Sequence, residues 1–240
     1  KMTAQKIADQ VGVTKNQVHE VYKRHKMTTK QNPAFELNML QKQLLYSGIL
    51  GDGRLKRNGK HNVYYSECHA LQEQEYCKWK YKAFGSLTSG MNMYDKNRNN
   101  NSCDAIEFCT KTTPTLIKYL DMQEYKDDAI DRINEIGLTI FILDDGWFNP
   151  HSRKGNFLVA GGVLTDPQLE KLCDKYREFG FGDAHIIGKA SHDISLPSSA
   201  NKYIYYIATK LMPESTDIIQ KKFGYMYETG QIFNYEKLVG

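Results

Sequence analysis

Two aspartates, each followed by a glycine at the end of an apolar run, are the residues of this sequence best suited to chemistry. Asp52 follows the run LYSGILG, and Asp145 follows the run LTIFILD. Such runs predict helices, and a carboxylate at the C-terminus of a helix is unfavourable because the helix dipole is negative there. Two such ends side by side would repel each other further, and a bound divalent cation removes the conflict. The sequence therefore predicts that Asp52 and Asp145 meet at a metal site.

Gly51 and Asp144 occupy the same position in the two runs, directly before each aspartate, and they complete the candidate metal site. Hard oxygen ligands favour Mg²⁺, with Mn²⁺ as the alternative. One Asp-Gly pair alone would be explained by an ordinary helix C-cap and turn. Two of them, 93 residues apart in matching surroundings, favour an active site.

The elements around the two runs repeat in order. The first copy is predicted as a helix at 37–50, a basic turn, a strand at 62–69, a helix at 72–83, a strand at 105–110 and a helical segment at 115–120. The second copy is predicted as a helix at 129–143, a basic turn, a strand at 156–161, a helix at 168–179, a strand at 184–188 and a helix at 202–211. The segments QEQEYCKWKYKAFG and QLEKLCDKYREFG are visibly alike. Two similar halves imply a pseudo-two-fold molecule, which suits a nearly symmetric ligand such as duplex DNA.

The N-terminal segment resembles the helix-turn-helix pattern. Gly12 permits a turn of positive φ and Thr14 is a good N-cap for a second helix. Four polar residues are expected on the outer face of that helix, toward a DNA groove or phosphates: Lys15, Asn16, Gln17 and Lys23. A small helical pair that only packs on the main domain remains the alternative.

The segments LYSGILGDG and LTIFILDDG resemble the motif of the LAGLIDADG homing endonucleases. The resemblance implies an α+β fold of two pseudo-symmetric αββαββα-type halves with saddle-like antiparallel sheets, plus a small N-terminal helical segment. The predicted organisation is a helix-turn-helix segment at 1–30, a linker at 31–36, and two halves at 37–128 and 129–240. In the first motif, Ser47, Gly48 and Gly51 are expected to let another helix backbone approach closely.

The resemblance also implies the activity: a monomeric, Mg²⁺-dependent, sequence-specific endonuclease that cuts both strands of double-stranded DNA, as in intron homing. Asp52 and Asp145 would be the catalytic residues. Lys111 and Lys189 follow the second predicted strand of each half, and they are candidates to assist at the phosphate. Gln72 and Glu67 are further candidates.

In the family the concave sheets lie in the DNA major groove, so the basic and polar residues near the strands are expected to contact DNA. These residues are Arg54, Lys56, Arg57, Lys60, Asn62, Tyr64, Ser66, His151, Arg153, Lys154 and Asn156. Lys96 and Arg98, in an Asn-rich segment, are candidates for a loop that orders on DNA. An ordinary polar hairpin and a merely flexible loop are the respective alternatives.

Composition excludes several other classes of protein. The chain has 32 Lys and Arg against 28 Asp and Glu, a net charge of +4 that permits a polyanionic partner without demanding one. Its five cysteines show no C-x-x-C spacing, which argues against a disulfide framework or a zinc site. No apolar run approaches the roughly 18 to 20 residues that span a bilayer. The expected location is therefore the cytoplasm or an organellar matrix, without secretion.

Two other functions remain open at this stage. One is a cleavage-inactive relative that acts as a DNA-binding regulator, which the helix-turn-helix favours. The other is an intron maturase that uses the same fold to bind structured intron RNA.

Overall fold

The computed structural model describes residues 3–24, 36–59, 61–94, 104–152, 154–188 and 192–230. The chain divides into two compact units, with the boundary after Ala34. No helix in these described ranges is long and apolar enough to cross a membrane.

The first unit is a pair of short helices, α1 (Ala4–Val11) and α2 (Lys15–Arg24). Gly12 ends α1 at φ +69°, a left-handed conformation that glycine adopts without steric cost. Thr14 and Gln17 form a reciprocal cap at the start of α2: the Gln17 amide donates to Thr14 Oγ1 at 3.2 Å, and the Thr14 amide donates to Gln17 Oε1 at 2.7 Å. The turn therefore ends one helix and begins the next, as the sequence predicts.

The second unit contains two copies of one succession of elements. The first copy consists of α3 (Met39–Leu50), β1 (Arg54–Arg57), β2 (Val63–Ala70), α4 (Gln74–Phe84), β3 (Thr88–Tyr94), β4 (Ala105–Thr110) and α5 (Leu120–Tyr125). The second copy consists of α6 (Asp127–Arg132), α7 (Glu135–Asp145), β5 (Gly146–Asn149), β6 (Asn156–Val159), α8 (Asp166–Glu178), β7 (His185–Ile187), β8 (Asp193–Ser195), α9 (Ala200–Leu211) and α10 (Asp217–Glu228).

The described residues form two four-stranded antiparallel sheets with the same strand order, β1-β2-β4-β3 and β5-β6-β8-β7. In the first sheet Arg54 pairs with Ser66, and in the second sheet Gly146 pairs with Val159. The repeated order confirms the α+β fold of two pseudo-symmetric halves.

Several elements differ from the sequence prediction. The two basic turns after the motifs begin as strands, β1 and β5, and β3, β8 and α10 were not predicted. The single helix predicted at 129–143 is two helices, because the chain is extended at Ile133 and Asn134. The Asn134 side chain accepts hydrogen bonds from the amides of Ile136 and Gly137, so it caps a new helix there.

Helices α3 and α7 pack against each other at the centre of the second unit. Leu44 and Ile49 of α3, like Ile140 and Phe141 of α7, are fully or almost fully buried. A helix that is apolar on all sides is expected to be enclosed by other elements. At the start of this helix pair, Gln43 accepts a hydrogen bond from the Asn134 amide at 2.9 Å and donates one to the Arg132 carbonyl at 3.1 Å. The buried pair therefore places the ends of both motifs at one point.

Candidate active site

The two motif ends lie side by side. Helix α3 ends at Leu50, so that Gly51 and Asp52 follow it, whereas Asp145 is the last residue of α7. A Cβ atom added to Gly51 would overlap Oδ2 of Asp145. Any larger residue at this position would force the Asp145 carboxylate to shift from the place it occupies here. The structure thus brings together the ends of the two runs, as the sequence predicts.

Asp145 carries a carboxylate oxygen that lacks a partner. Its Oδ2 is buried and accepts no hydrogen bond from the residues that the structure describes. Burial, followed by the charges of Asp144 and Asp52, raises the pKa of Asp145 to about 7. A buried acceptor without a donor is costly, and a cation beside it would remove that cost. Together with the exposed carboxylate of Asp52, this donor set fits a hard divalent cation.

Asp144 faces a different environment from that of Asp145, although the two are adjacent. Its Oδ1 accepts hydrogen bonds from Lys80 Nζ at 2.7 Å and from the Tyr76 hydroxyl at 2.8 Å. Its Oδ2 accepts one from the Ser47 hydroxyl at 3.2 Å. Burial raises the pKa of Asp144, and the Lys80 ammonium opposes that effect. Both oxygens are therefore engaged by donors from the first half of the molecule, and a role for Asp144 at a metal stays a prediction.

Glu67 is also placed differently from the expectation of a residue near the phosphate. It is buried, and its carboxylate contacts Lys80 Nζ, the Tyr65 hydroxyl at 2.6 Å and His69 Nε2 at 2.9 Å. Burial opposes its ionisation, but the Lys80 ammonium and the His69 hydrogen bond outweigh burial and lower the pKa of Glu67. Glu67 is therefore part of an internal ion network with Lys80 and Asp144.

Two lysines that the sequence analysis did not select lie at the ends of the motif helices. Lys126 Nζ donates to the Ile49 carbonyl at 2.6 Å, in the last turn of α3. Lys222 Nζ donates to the Gly146 carbonyl, directly after Asp145. Burial lowers the pKa of both lysines, helped by the charge of Arg54 on Lys126 and of Lys221 on Lys222. Cations near helix C-termini are favourable because they oppose the negative end of the helix dipole.

Of the two lysines suggested by sequence position, the structure describes one, and it lies elsewhere. Lys111 is exposed, and its Nζ donates a hydrogen bond to the Ser86 carbonyl at 2.7 Å, at the turn after α4. Lys189 lies outside the described residues. Gln72 is exposed at the start of the segment that leads into α4. No motif marks Lys126 or Lys222 in the sequence, because each follows its aspartate only after a complete sheet.

The small residues of the first motif make room for side chains. A Cβ at Gly48 would overlap the hydroxyl of Tyr65, which projects from β2. Gly51 accommodates Asp145, and Ser47 donates to Asp144. Besides lying in the helix that packs against α7, these positions make room for polar groups from the sheet and from the facing helix.

The outer face of the first sheet carries most of the predicted DNA-contact residues of that half. Arg54 and Lys56 are exposed there and Tyr64 is half-buried, whereas Arg57, the next residue after Lys56, is exposed on the opposite face. Asn62, just before β2, is half-buried. Arg54 also donates to the carbonyls of Gly51 and Gly53, each at 3.3 Å. Lys56 Nζ lies 3.6 Å from Oε1 of Glu107 on the same face, which makes a salt bridge. Ser66 differs from these residues because only 2% of it is exposed.

The second sheet borders a depression of mixed polar and apolar lining. Asn156 is half-buried, and its amide donates to Ser195 Oγ at 3.0 Å. A depression of about 460 Å³ adjoins Asn156, Asn149 and Lys154. Trp147, in the strand that follows Asp145, is 41% exposed, a position that the sequence analysis did not select.

The remaining candidates fall on both units. His151 and Lys154 are exposed near the second sheet, and Lys15, Asn16 and Gln17 are exposed on α2. Gln17 is engaged in the cap with Thr14. Five candidates lie outside the described residues, as does the side chain of a sixth: Lys60, Lys96, Arg98, Arg153, Lys189 and, for its side chain, Lys23.

A central pair of helices that lead into acidic residues, each followed by an antiparallel four-stranded sheet, defines a two-motif LAGLIDADG protein. The model of the LAGLIDADG DNA endonuclease family matches residues 42–175, which is more than half of the chain. The chain belongs to this family.

Two solved structures are similar to this chain, and the first of them shares its fold. The homing endonuclease I-WcaI, bound to its DNA recognition sequence, has a TM-score of 0.57 and 18% identity over 89% of this chain and 96% of its own. Meganuclease I-SmaMI, bound to uncleaveable DNA, has a TM-score of 0.44 and 12% identity over 87% of this chain and 95% of its own. No match was found among the curated proteins.

Proposed function

We propose that this chain is a sequence-specific endonuclease that hydrolyses phosphodiester bonds in both strands of duplex DNA, with Mg²⁺ held by Asp52 and Asp145. The observation that carries the proposal is the buried, unpartnered oxygen of Asp145 at the junction of the two motif helices. Membership of the LAGLIDADG DNA endonuclease family supports the reaction class.

When bound, a divalent cation would lower the pKa of a coordinated water and stabilise the leaving oxygen. Asp52 and Asp145 would hold it from opposite halves, and Gly51 keeps the space that Asp145 needs. Asp145 must lose its proton to bind a cation, and its raised pKa makes this carboxyl compete for a proton near neutral pH.

Lys126 and Lys222 are the residues that we assign to the phosphates, in place of Lys111 and Lys189. Each ammonium is fixed by a backbone carbonyl at the end of a motif helix, one in each half. A partly buried ammonium stabilises negative charge more strongly than an exposed one, because less water screens it. One such group in each half matches the cleavage of two strands.

Duplex DNA is the partner that the surface supports. The exposed Arg54, Lys56 and Arg57 of the first half, and His151 and Lys154 of the second, suit contacts with phosphates and bases. The solved structure of I-WcaI, which shares the fold, has that protein bound to its DNA recognition sequence. Because one chain supplies both halves, the proposed enzyme acts as a monomer. The exposed residues of α2 are proposed to extend the contact with DNA.

A cleavage selection on a randomised plasmid library in Mg²⁺ tests the proposal. The parent protein should linearise a subset of plasmids, and Asp52→Asn should bind the selected sequence without cutting it. Asp128→Asn is a matched control, since Asp128 is an exposed aspartate of α6. DNA binding by the parent without any cleavage would identify a DNA-binding regulator. Retention of structured intron RNA on filters, with no plasmid cut, would identify a maturase.

A further inference from the structure

We infer that Lys80 is a positioning residue. Its buried ammonium forms a salt bridge with Asp144 and thereby fixes the last turn of α7, so that Asp145 faces Asp52. This inference rests on the proposed function, because it concerns the same carboxylate pair. Lys80 does not touch the reacting atoms, and it acts through Asp144.

The first support is the completeness of the buried network. Lys80 is fully buried in α4, and its Nζ contacts Asp144 and Glu67, which are also buried. From Glu67 the network continues through His69 to Glu73. Glu73 Oε1 forms a salt bridge with Nζ of Lys221, at the surface, at 2.6 Å. Buried charges are retained only when they are paired and hydrogen-bonded. Here each charge has a partner, so the geometry of the network is strongly fixed.

The second support is that the network occurs in one half only. The alignment of QEQEYCKWKYKAFG with QLEKLCDKYREFG, matched at their cysteines, places Tyr176 where the first half has Lys80. The strand registers place Val159 at the position of Glu67. Tyr176 is fully buried, and its hydroxyl has no hydrogen-bond partner among the described residues. The equivalent positions of the second half therefore carry no charge.

The acid on the opposite side of the interface is equally one-sided. Asp144 of α7 corresponds to Gly51 in the first motif. Asp144 thus comes from the second half, and its donors Lys80, Tyr76 and Ser47 come from the first. The hydrogen bonds to Asp144 therefore cross the pseudo-two-fold interface.

This crossing contact is what can orient Asp145. The Oδ2 atom of Asp145 accepts no hydrogen bond from the described residues, so no hydrogen bond to this atom fixes the direction of the carboxylate. Asp144 lies in the same turn of α7 as Asp145, and three side chains donate hydrogen bonds to it. Removing Lys80 would leave Glu67 and Asp144 without their shared cation and would free that turn to shift. Loss of an outer contact of this kind typically weakens metal binding about 10- to 100-fold.

The test uses a charge-neutral pair of substitutions and a matched pair on the same helix. Glu67→Gln with Lys80→Met removes one charge of each sign from the network. Glu75→Gln with Lys78→Met removes an exposed pair on α4, whose nitrogen and oxygen lie 2.7 Å apart. Binding of Mn²⁺ to the full chain is followed by electron paramagnetic resonance, well below the melting temperature of each variant.

We expect the buried pair variant to bind Mn²⁺ about 10- to 100-fold more weakly than the parent. The control pair should bind Mn²⁺ as the parent does. In cleavage, the Mg²⁺ concentration for half-maximal rate should rise by the same factor, with little change in the maximal rate. Mn²⁺ affinity equal to that of the parent, in a folded buried-pair variant, overturns the inference.

A second variant covers the case in which the buried pair does not fold. Tyr76→Phe removes one of the three hydrogen bonds to Asp144 and leaves every charge in place. It should weaken Mn²⁺ binding measurably, and an unchanged affinity would overturn the inference. If the parent itself binds no Mn²⁺, the proposed function fails instead, so the two failures are distinguishable.

Discussion

Gly51 of the first motif lies directly against the carboxylate of Asp145 from the second. A side chain at Gly51 would occupy the space of Asp145 Oδ2. The absence of one Cβ atom thus allows acidic groups from two halves of the chain to share one site. Burial, followed by the nearby charges of Asp144 and Asp52, raises the pKa of Asp145.

Gly51→Ala should therefore displace Asp145 and lower the cleavage rate about 100-fold, the usual effect of moving a reacting group by about 1 Å. Rates are measured on the sequence recovered from the plasmid selection. Gly224→Ala is the matched control, because a Cβ there meets nothing within 4 Å in α10. Cleavage by Gly51→Ala at the rate of the control would show that Asp145 does not need this space.

Lys126→Met and Lys222→Met should each reduce cleavage by about 100-fold or more, while the affinity for DNA changes little. The reason is that each ammonium is held at a motif-helix end, where charge develops on the phosphate. Lys111→Met provides the comparison, since Lys111 contacts the Ser86 carbonyl instead. Single-turnover rates and gel-shift affinities separate the two effects. If Lys111→Met loses cleavage and the other two variants keep it, the assignment by sequence position is right.

His69 should make stability fall with rising pH on the alkaline side of neutrality. Burial and the Lys80 ammonium oppose protonation of His69, but hydrogen bonds to Glu67 and Glu73 outweigh them and raise its pKa to about 9. A raised histidine pKa gives stability that is fully present below the unfolded value of about 6.5 and is lost as pH rises through about 9. The loss is on the order of 3 kcal/mol.

Urea unfolding across that pH window measures this loss. His69→Gln should flatten the profile, because the substituted side chain does not titrate. A profile for His69→Gln as steep as that of the parent would assign the pH dependence to another group.

Trp147 should report DNA binding by its fluorescence. It is exposed on β5 and alternates with Phe148, whose ring packs against Phe157 and Tyr225. Successive strand residues face opposite sides, so Trp147 lies on the side away from this aromatic cluster. In a Trp79→Phe background, a short mixed-sequence duplex at low salt should change the emission of Trp147.

The converse protein, Trp147→Phe, provides the control. Its remaining Trp79 is half-buried and donates to the Leu211 carbonyl, so its emission should stay constant when DNA is added. If only Trp79 responds, DNA binds elsewhere on the protein.

Sequence alone was sufficient for the features that depend on local pattern. Apolar runs that end in Asp-Gly predict buried helices with acidic C-termini, and their repetition predicts two halves. The ends of these helices meet, as expected, and the strand order repeats. The boundary between α6 and α7 was missed because Asn134 reads as a tolerable interior residue until its side chain is seen to cap Ile136.

The partners of the charges were decided only by tertiary structure. Asp144 and Asp145 are adjacent and chemically identical in the sequence, yet one is held by Lys80, Tyr76 and Ser47 and the other keeps an unpartnered oxygen. Lys126 and Lys222 likewise reach the motif helices from distant segments. Electrostatic compensation acts through space between groups brought together by folding, so residue order does not encode it directly. The sequence determined where the carboxylates lie along the chain, and the packing of the two halves determined which of them keeps an oxygen without a hydrogen bond among the described residues.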